Sequence, residues 1–149
     1  MYSINLKNPE IIISTGIKNF RDVLPHEKVI EKRKKSLIKY LNSYEGYFVI
    51  PSIICCSKTG LIIDGHHRYF ALVDLGIEDI PVTSIIYEGE SIRTHSNSEK
   101  SIDKELIINR AKSGNLLEPK STLHQVLTKD LNWKPLILLS SLFEVKKKK

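Results

Sequence analysis

Apolar and polar residues along the first third of the chain follow first a strand-like and then a helical spacing. Residues 11–14 form a short β-branched run that predicts a first strand, and residues 15–25 predict a loop. From residue 26 to residue 46 the apolar positions recur every three or four residues, which is typical of an amphipathic helix. Pro25 near the start of this segment and Gly46 at its end agree with helix boundaries there.

The middle of the chain has the composition of a buried sheet. Residues 48–57 and 61–63 predict two strands, and the short turn between them makes the pair a candidate hairpin. Residues 66–75 predict a helix that ends at Gly76, a favourable residue after a helix C-terminus. Residues 81–87 are again β-branched and predict a further strand.

The last third of the chain is harder to assign. A polar link, residues 88–100, precedes a predicted helix over residues 103–113, with Ser101 as its N-cap. The apolar residues 136–145 fit either a strand or a helix. The whole pattern predicts an α+β (mixed α/β) fold with a small sheet flanked by about four helices.

The composition fits one compact globular domain. The chain has 149 residues, of which 41% are hydrophobic and 27% are charged, so we expect residues 1–145 to form a single domain. The formal net charge is +6, but residues 146–149 form a basic tail of lysines. The excess that remains without this tail, about +2, is too small to indicate nucleic-acid binding.

The sequence carries no pattern that indicates a membrane or a secreted location. No apolar run approaches the roughly 20 residues that span a bilayer, and the N-terminal residues lack the layout of a signal peptide. The adjacent residues Cys55 and Cys56 fit standard disulfide geometry poorly and suit reduced thiols in a strand. We therefore expect a cytoplasmic protein.

The most informative segment is LIIDGHHRYFA, residues 61–71, because it places basic and imidazole groups at the start of a predicted helix. A helix N-terminus carries unpaired N–H groups and a partial positive charge, and Gly65 lets an anion approach the backbone closely. Cations are unfavourable there unless an anion is bound, so His66, His67 and Arg68 indicate a phosphate site. The alternative is that the histidines are exposed loop residues and that Arg68 pairs with a nearby acid.

Asp64 directly precedes this candidate phosphate site. A carboxylate beside a bound phosphate is repelled unless a divalent cation bridges the two groups. Asp64 therefore suggests Mg²⁺ coordination, or a base near the transferred group. The alternative is an aspartate that only caps the helix, which is common.

The segment DGHHRYFALVDLG, preceded by a strand and followed by IPV, resembles the ParB/sulfiredoxin superfamily, in which a G-x-x-R signature at a helix N-terminus binds nucleotide phosphates. Sulfiredoxins have their reactive cysteine at the position of His66, so the resemblance does not extend to their redox chemistry. The partition proteins have an arginine at the position of His67 and a helix-turn-helix domain after the motif. We find no convincing helix-turn-helix in the residues that follow.

Three motifs, in the same order along the chain, resemble the third branch of this superfamily, the free L-serine kinases. DGHHR lies at residues 64–68, an upstream leucine–proline segment ending in glutamate is LPHE at residues 24–27, and a P-K-[ST]-T-x-H segment lies at residues 119–124. The resemblance implies a ParB/sulfiredoxin-like fold and an enzyme that transfers a phosphoryl group from ATP or ADP to the L-serine hydroxyl. The product would be O-phospho-L-serine, and Mg²⁺ would assist the transfer.

The same resemblance implies a role for each matched residue. Glu27 would be the general base that accepts the serine hydroxyl proton, and Asp64 would hold Mg²⁺ or orient the serine. The residues that bind the phosphates of the donor would be Gly65, His66, His67 and Arg68. The residues that touch the amino acid or its new phosphate would be Lys120, Ser121, Thr122 and His124.

The residues alone leave alternatives open. Glu27 also fits an ordinary acidic residue in the first turn of the first helix, and residues 121–124 also fit a turn followed by a helix N-cap. A different function is that of a ParB-like nucleotide-binding switch acting on DNA, whose binding would weaken steeply with salt. The donor (ATP, ADP or pyrophosphate) and the oligomeric state are left open.

Overall fold

The chain forms nine strands and three α-helices within residues 4–96 and 100–147, the part that this computed structural model describes. The strands are β1 (Ile12–Asn19), β2 (Tyr47–Pro51), β3 (Ile53–Cys56), β4 (Ile62–Asp64), β5 (Asp79–Ile85), β6 (Ile92–Ser96), β7 (Thr122–Leu127), β8 (Trp133–Pro135) and β9 (Leu142–Lys146). The helices are α1 (Glu31–Asn42), α2 (His66–Asp74) and α3 (Lys104–Lys112). The predicted α+β class is confirmed, with three α-helices and short 3₁₀ turns where about four helices were expected.

The central sheet has four strands in the order β1-β5-β3-β4. β3 is parallel to β5, whereas β1 is antiparallel to β5 and β4 is antiparallel to β3. The predicted hairpin is therefore confirmed as β3–β4, closed by a turn that contains Gly60 with φ of 77°. Two smaller sheets, β2-β9 and β6-β7-β8, complete the described β-structure.

Both faces of the central sheet are buried at its inner strand β3. Alternate residues of β3 point to opposite sides, so Ile54 and Cys56 belong to one apolar cluster and Ile53 and Cys55 belong to another. Burial on both faces explains why β3 reads as the continuous apolar run IICC without polar alternation. α1 and α2 cover the Ile53 side of the sheet and α3 covers the Ile54 side. Both cysteines are free, as expected.

The predicted start of the first helix is wrong. α1 begins at Glu31, and the residues from 24 to 29 are not helical. They run beside other parts of the chain, with isolated parallel bridges from Leu24 to Leu61 and from Glu27 to Leu117. The apolar spacing of this stretch reflects burial of an extended segment, which periodicity alone does not distinguish from a helical turn.

Two predicted loops contain strand. β1 extends to Asn19 because it pairs with β5 along its length, whereas a loop was expected from residue 15. The polar link 88–100 contains β6, which pairs with β7. The edge position and exposed side chains of β1 account for the weak hydrophobic signal of the first segment, and the polar residues Arg93–Ser96 account for that of β6.

Three assignments near the C-terminus are corrected or resolved. The N-cap of α3 is Asp103, whose Oδ1 accepts the Glu105 N–H at 3.0 Å, and not Ser101. Thr122 begins β7, so it does not cap a helix. The apolar stretch 136–145 contains both a 3₁₀ turn at Leu136–Leu139 and the first part of β9.

The basic tail and the membrane prediction have different outcomes. Lys146 ends β9, the Lys147 ammonium donates to the Tyr44 carbonyl, and Lys148 and Lys149 lie outside the described residues. Within residues 4–96 and 100–147, none of the helices combines the length and the apolar character needed to cross a membrane. The single-domain organisation of residues 1–145 and the cytoplasmic location stay predictions.

Candidate active site

A strand-to-helix turn forms the floor of the candidate site. Asp64 is the last residue of β4, Gly65 is the N-cap of α2, and His66 begins the helix. Gly65 adopts φ of 110°, and a Cβ built on it would lie 2.8 Å from Nη2 of Arg68. Only glycine adopts this backbone conformation without strain and leaves room for the Arg68 guanidinium beneath the turn.

This turn and two distant parts of the chain line a cavity of about 270 Å³. They are the non-helical segment before α1, the β4–α2 turn and the start of β7. The lining residues are His26, Glu27, Ile63, Asp64, Gly65, His66, His67, Arg68, Lys120, Thr122 and Leu123. The structure therefore brings together residues from all three motifs found in the sequence. Ser121 and His124 do not line this cavity.

Glu27 is a buried carboxylate held by β7 and the turn before it. It is 8% exposed, and its Oε2 accepts the Thr122 hydroxyl at 2.9 Å while its Oε1 accepts the Lys120 N–H. Lys120 has φ of 56°, an uncommon left-handed conformation for a residue with a side chain. Burial raises the pKa of Glu27, and the hydrogen bonds from Lys120 and Thr122 oppose that rise. The result is a desolvated carboxylate whose charged form is kept by directed donors.

The two histidines of the turn make hydrogen bonds that the sequence did not suggest. Nε2 of His66 accepts the His26 N–H at 3.1 Å, and Nε2 of His67 accepts the Ile30 N–H at 3.0 Å. A ring nitrogen that accepts a hydrogen bond is unprotonated, so both rings are neutral in this arrangement. Burial also lowers the pKa of both groups, strongly for His66. The expectation of three cations at this turn is thus wrong for two of them.

A cluster of buried histidine rings stands behind the cavity. His26 is fully buried, and its ring meets those of His66 and His124 edge-on, with centroids 4.5 and 5.9 Å away. Burial lowers the pKa of His26 to about 4 and that of His124 well below its usual value. Nε2 of His26 lies 3.2 Å from the Thr122 hydroxyl. Since that hydroxyl donates its proton to Glu27, Nε2 of His26 must be the donor to Thr122.

The Arg68 side chain is largely buried and pairs with an acid, Asp64, which was one of the two alternatives for this residue. Its Nη2 donates to Asp64 Oδ2 at 3.3 Å and to the Ser52 carbonyl at 3.1 Å. The Arg68 Nε is buried and finds no acceptor among the described residues. A buried donor without an acceptor is rare in proteins, and Arg68 is also one of the residues that line the cavity.

The cavity contains groups that fit phosphate and one divalent cation. The first N–H groups of α2 have no partner within the helix, which suits phosphate oxygens. Asp64 supplies a carboxylate, and within the described chain no group of three or more His, Cys, Asp or Glu side chains forms a metal cage. Mg²⁺ commonly binds through one or two carboxylates and the phosphates of a substrate. Asp64 is a carboxylate of the kind that would hold such an ion.

The remaining predicted site residues have other partners. The Ser121 hydroxyl donates to the Glu118 carbonyl at 2.7 Å, and Nε2 of His124 lies 2.8 Å from the Tyr87 hydroxyl. Sequence reasoning did not single out His26, although it lies inside the LPHE motif beside Glu27. Its role was missed because a buried histidine has no periodicity of its own.

Comparison with known proteins agrees with these motifs. No family model matches the chain. Over 75 residues the chain is 36% identical to an ATP-dependent L-serine kinase of Staphylothermus marinus, a match that covers 48% of this chain and 29% of that protein. Over 72 residues it is 33% identical to a ParB-like protein of Sulfolobus acidocaldarius, covering 48% of this chain and 35% of that one. The matches thus span about a third of the length of these curated relatives.

The fold extends the likeness over nearly the whole chain. A solved free serine kinase in complex with AMP superposes with a TM-score of 0.71 at 15% identity, covering 97% of this chain and 95% of that one. At this identity the superposition establishes the fold alone. The resemblance inferred from the motifs is confirmed, and the chain has the fold of the free serine kinases.

Proposed function

We propose that this protein is a free L-serine kinase, which transfers a phosphoryl group from a nucleotide to the serine hydroxyl and forms O-phospho-L-serine. The observation that carries the proposal is the meeting of the Glu27 carboxylate and the Asp64–Arg68 turn in one cavity. The sequence similarity to a curated L-serine kinase and the shared fold support it. Because the matches cover only about a third of those curated proteins, kinase activity is a proposal for this chain.

Glu27 is the general base of the proposed reaction. The serine Oγ–H gives its proton to the Glu27 carboxylate while Oγ forms a bond to the terminal phosphorus of the donor. The bond from that phosphorus to its bridging oxygen breaks, and the shortened nucleotide leaves with the electron pair. Burial supports this role because it raises the pKa of Glu27, which makes the carboxylate a better proton acceptor.

The β4–α2 turn binds the donor in this proposal. The N–H groups after Gly65, in the first turn of α2 that contains His66 and His67, face the phosphates together with the Arg68 guanidinium. Asp64 would hold Mg²⁺, which when bound neutralises phosphate charge. The similarity to an ATP-dependent L-serine kinase supports ATP as the donor. ADP is also a candidate donor, because this turn would recognise phosphate groups and not their number.

The start of β7 forms the serine side of the cavity in this proposal. Lys120 lines the cavity and is proposed to attract the serine carboxylate or the new phosphate. Thr122 lines the same wall and holds Glu27 with its hydroxyl. Ser121 and His124 form hydrogen bonds with Glu118 and Tyr87 respectively. We propose that they contribute to substrate binding indirectly, by holding the residues of this wall in place.

A ParB-like switch on DNA is the second candidate, and the likeness to the ParB-like protein favours it. A helix-turn-helix needs two adjacent helices. After α2, the described residues contain α3 as their single α-helix, with strands on both sides. A DNA-binding switch would show affinity for duplex DNA that falls steeply as salt is raised.

One experiment separates the two functions. The purified protein is incubated with L-serine and Mg²⁺ and, in turn, with ATP, ADP, CTP or pyrophosphate, and phosphoserine is measured by mass spectrometry. We expect phosphoserine with at least one nucleotide, and none when L-serine is replaced by L-alanine. The absence of phosphoserine with every donor would refute the kinase proposal. Salt-sensitive duplex DNA binding in the same preparation would then support the second candidate.

A further inference from the structure

Each of the two histidines of the β4–α2 turn uses its ring Nε2 to accept a hydrogen bond from the protein backbone. Nε2 of His66 accepts the His26 N–H, and Nε2 of His67 accepts the Ile30 N–H. These two amides bracket the residues from 26 to 30, which we call the base segment because Glu27 lies in it. The phosphate-binding turn and the base segment are therefore joined directly, ring to backbone.

The other contacts of the base segment come from Leu117 and from the residues around the start of β7. The segment precedes α1 and belongs to no sheet, and its isolated bridge to Leu117 uses the Lys28 N–H and the His26 carbonyl. A non-helical segment of this kind is expected to move unless its backbone groups are bound. The two imidazole nitrogens bind the amides at its two ends.

A second connection runs from the same segment to the carboxylate. Nε2 of His26 donates to the Thr122 hydroxyl, which donates to Oε2 of Glu27. Because the His26 N–H is held by the His66 ring, the position of His66 also fixes where the His26 ring stands. The position of the carboxylate thus depends on the first turn of α2 through this chain of hydrogen bonds, and the bond from the Ile30 N–H to the His67 ring holds the other end of the base segment.

We propose that His66 and His67 are positioning residues that fix the Glu27 carboxylate over the phosphate-binding turn, with their rings acting as neutral hydrogen-bond acceptors for the base segment. This assignment rests on the proposed kinase function. It replaces direct phosphate binding by the two imidazole rings, while the backbone N–H groups of the same residues stay available to the donor. His66 and His67 thus couple the Glu27 carboxylate to the β4–α2 turn, so that the two move together.

The proposal distinguishes turnover from donor binding. Loss of the His67 acceptor frees the Ile30 amide and lets Glu27 move from its position, and a misplacement of about 1 Å costs up to roughly a hundredfold in rate. The donor phosphates lose no direct contact. Glutamine carries a side-chain oxygen at about the position of Nε2, so His67→Gln keeps an acceptor and should restore most of the loss.

The test compares His67→Ala, His67→Gln, His66→Ala and His66→Gln with wild type, using His95→Ala in β6 as the control histidine. Backbone amide exchange by NMR reports the Ile30 and His26 amides, and kinetics with L-serine and calorimetry with the donor report turnover and affinity. We expect the Ile30 amide to exchange at least tenfold faster in His67→Ala, turnover to fall about ten- to a hundredfold, and donor affinity to change less than about twofold. His67→Gln should recover amide protection and turnover together.

Two results would overturn the positioning role. Unchanged exchange of both amides in the alanine variants would show that the rings do not hold the segment, and a loss of donor affinity equal to the loss of turnover would make them phosphate ligands. His67 is half-exposed, so its variants keep the test informative if replacement of buried His66 prevents folding. Amide exchange does not depend on enzyme activity. It therefore shows whether the two rings hold the base segment even if wild type makes no phosphoserine and the kinase proposal fails.

Discussion

At the scale of single residues, the site depends on a few directed hydrogen bonds to one buried carboxylate. Glu27 is desolvated, yet it accepts donors from both Lys120 and Thr122. Burial and hydrogen bonding act on its pKa in opposite directions, and the balance sets the pH at which it can accept a proton.

The Thr122 hydroxyl should therefore control the acid side of the pH–rate profile. Thr122→Val removes a hydrogen bond to the charged form of Glu27 and so raises the pKa of that carboxyl further. We expect the acid limb of turnover to move to higher pH, with roughly tenfold less activity at low pH and a smaller loss on the alkaline plateau. Steady-state kinetics from pH 5 to pH 9 measure this. Thr15→Val, a matched change in β1, should leave the profile in place, and an unshifted limb in Thr122→Val would contradict the assignment.

Gly65 makes a second prediction at this scale. Gly65→Ala introduces a Cβ at φ of 110° and 2.8 Å from Nη2 of Arg68. We expect the free energy of unfolding to fall by about 1–3 kcal/mol because of backbone strain, together with weaker donor binding as Arg68 is displaced. Urea denaturation and calorimetry measure the two effects. Gly16→Ala is the control, because a Cβ at that position meets no atom within 4 Å.

At the scale of elements, the site depends on where strands and helices stop. Sequence reasoning located the β3–β4 hairpin, α2 and the turn between them, because buried apolar runs and glycines mark these boundaries locally. It extended the first helix back to residue 26, although α1 begins at Glu31. The non-helical geometry of the preceding residues comes from tertiary partners, Leu61 and Leu117, which lie far away in the sequence.

The break between β2 and β3 is another boundary set by tertiary contacts. The apolar run at residues 48–57 predicted one strand, but Ser52 divides it. Ser52 is fully buried; its hydroxyl accepts the Ser141 N–H at 3.0 Å and shares a hydrogen bond with the Thr83 hydroxyl, and its carbonyl accepts Arg68. Ser52 therefore separates β2, which pairs with β9, from β3 of the central sheet, and its carbonyl also holds Arg68.

Removal of the Ser52 hydroxyl should show how much this boundary contributes. Ser52→Ala leaves the Ser141 N–H without its acceptor, and we expect the free energy of unfolding to fall by about 1–3 kcal/mol. Urea denaturation at pH 7 measures it. Ser43→Ala, at the exposed end of α1, should change stability by less than about 0.5 kcal/mol. Equal effects of the two changes would mean that the buried hydroxyl has no special role.

At the scale of the whole molecule, the three motifs are far apart in sequence and come together only through the fold. Residues 24–27, 64–68 and 119–124 lie in separate segments that meet at the cavity. Their order and chemistry were readable from the sequence. The bonds of His66 and His67 to the base segment were not, because they depend on the relative placement of two elements about 40 residues apart.

The buried histidines should make the protein sensitive to acid. Burial lowers the pKa of His26, His66 and His124 below the ordinary value near 6.5, so their contribution to stability is present above pH 6.5 and is lost as pH falls towards the folded-state values, about 4 for His26. Glu27 acts in the opposite direction, because burial raises its pKa. Because three histidines oppose one carboxyl, we expect the free energy of unfolding to fall as pH is lowered from 7 to 5.

Urea denaturation at pH 7, 6 and 5 measures this loss. His124→Gln removes one of the three titrating rings and should reduce the slope of stability against pH. The control is Ser43→Ala at the exposed end of α1, which removes no titratable group and should keep the wild-type slope. A wild-type slope in His124→Gln would show that the cluster does not stay neutral in the folded protein.

The most direct test of the central claim is ³¹P NMR of the protein with ATP, Mg²⁺ and L-serine, recorded for wild type and for Glu27→Gln. We predict a phosphomonoester signal of O-phospho-L-serine that grows with wild type and grows about 10²- to 10⁴-fold more slowly with the variant, while both proteins bind the donor with similar affinity. Equal rates of phosphoserine formation would remove Glu27 from the role of base. A wild-type sample that forms no phosphoserine with ATP, ADP or CTP would contradict the account as a whole.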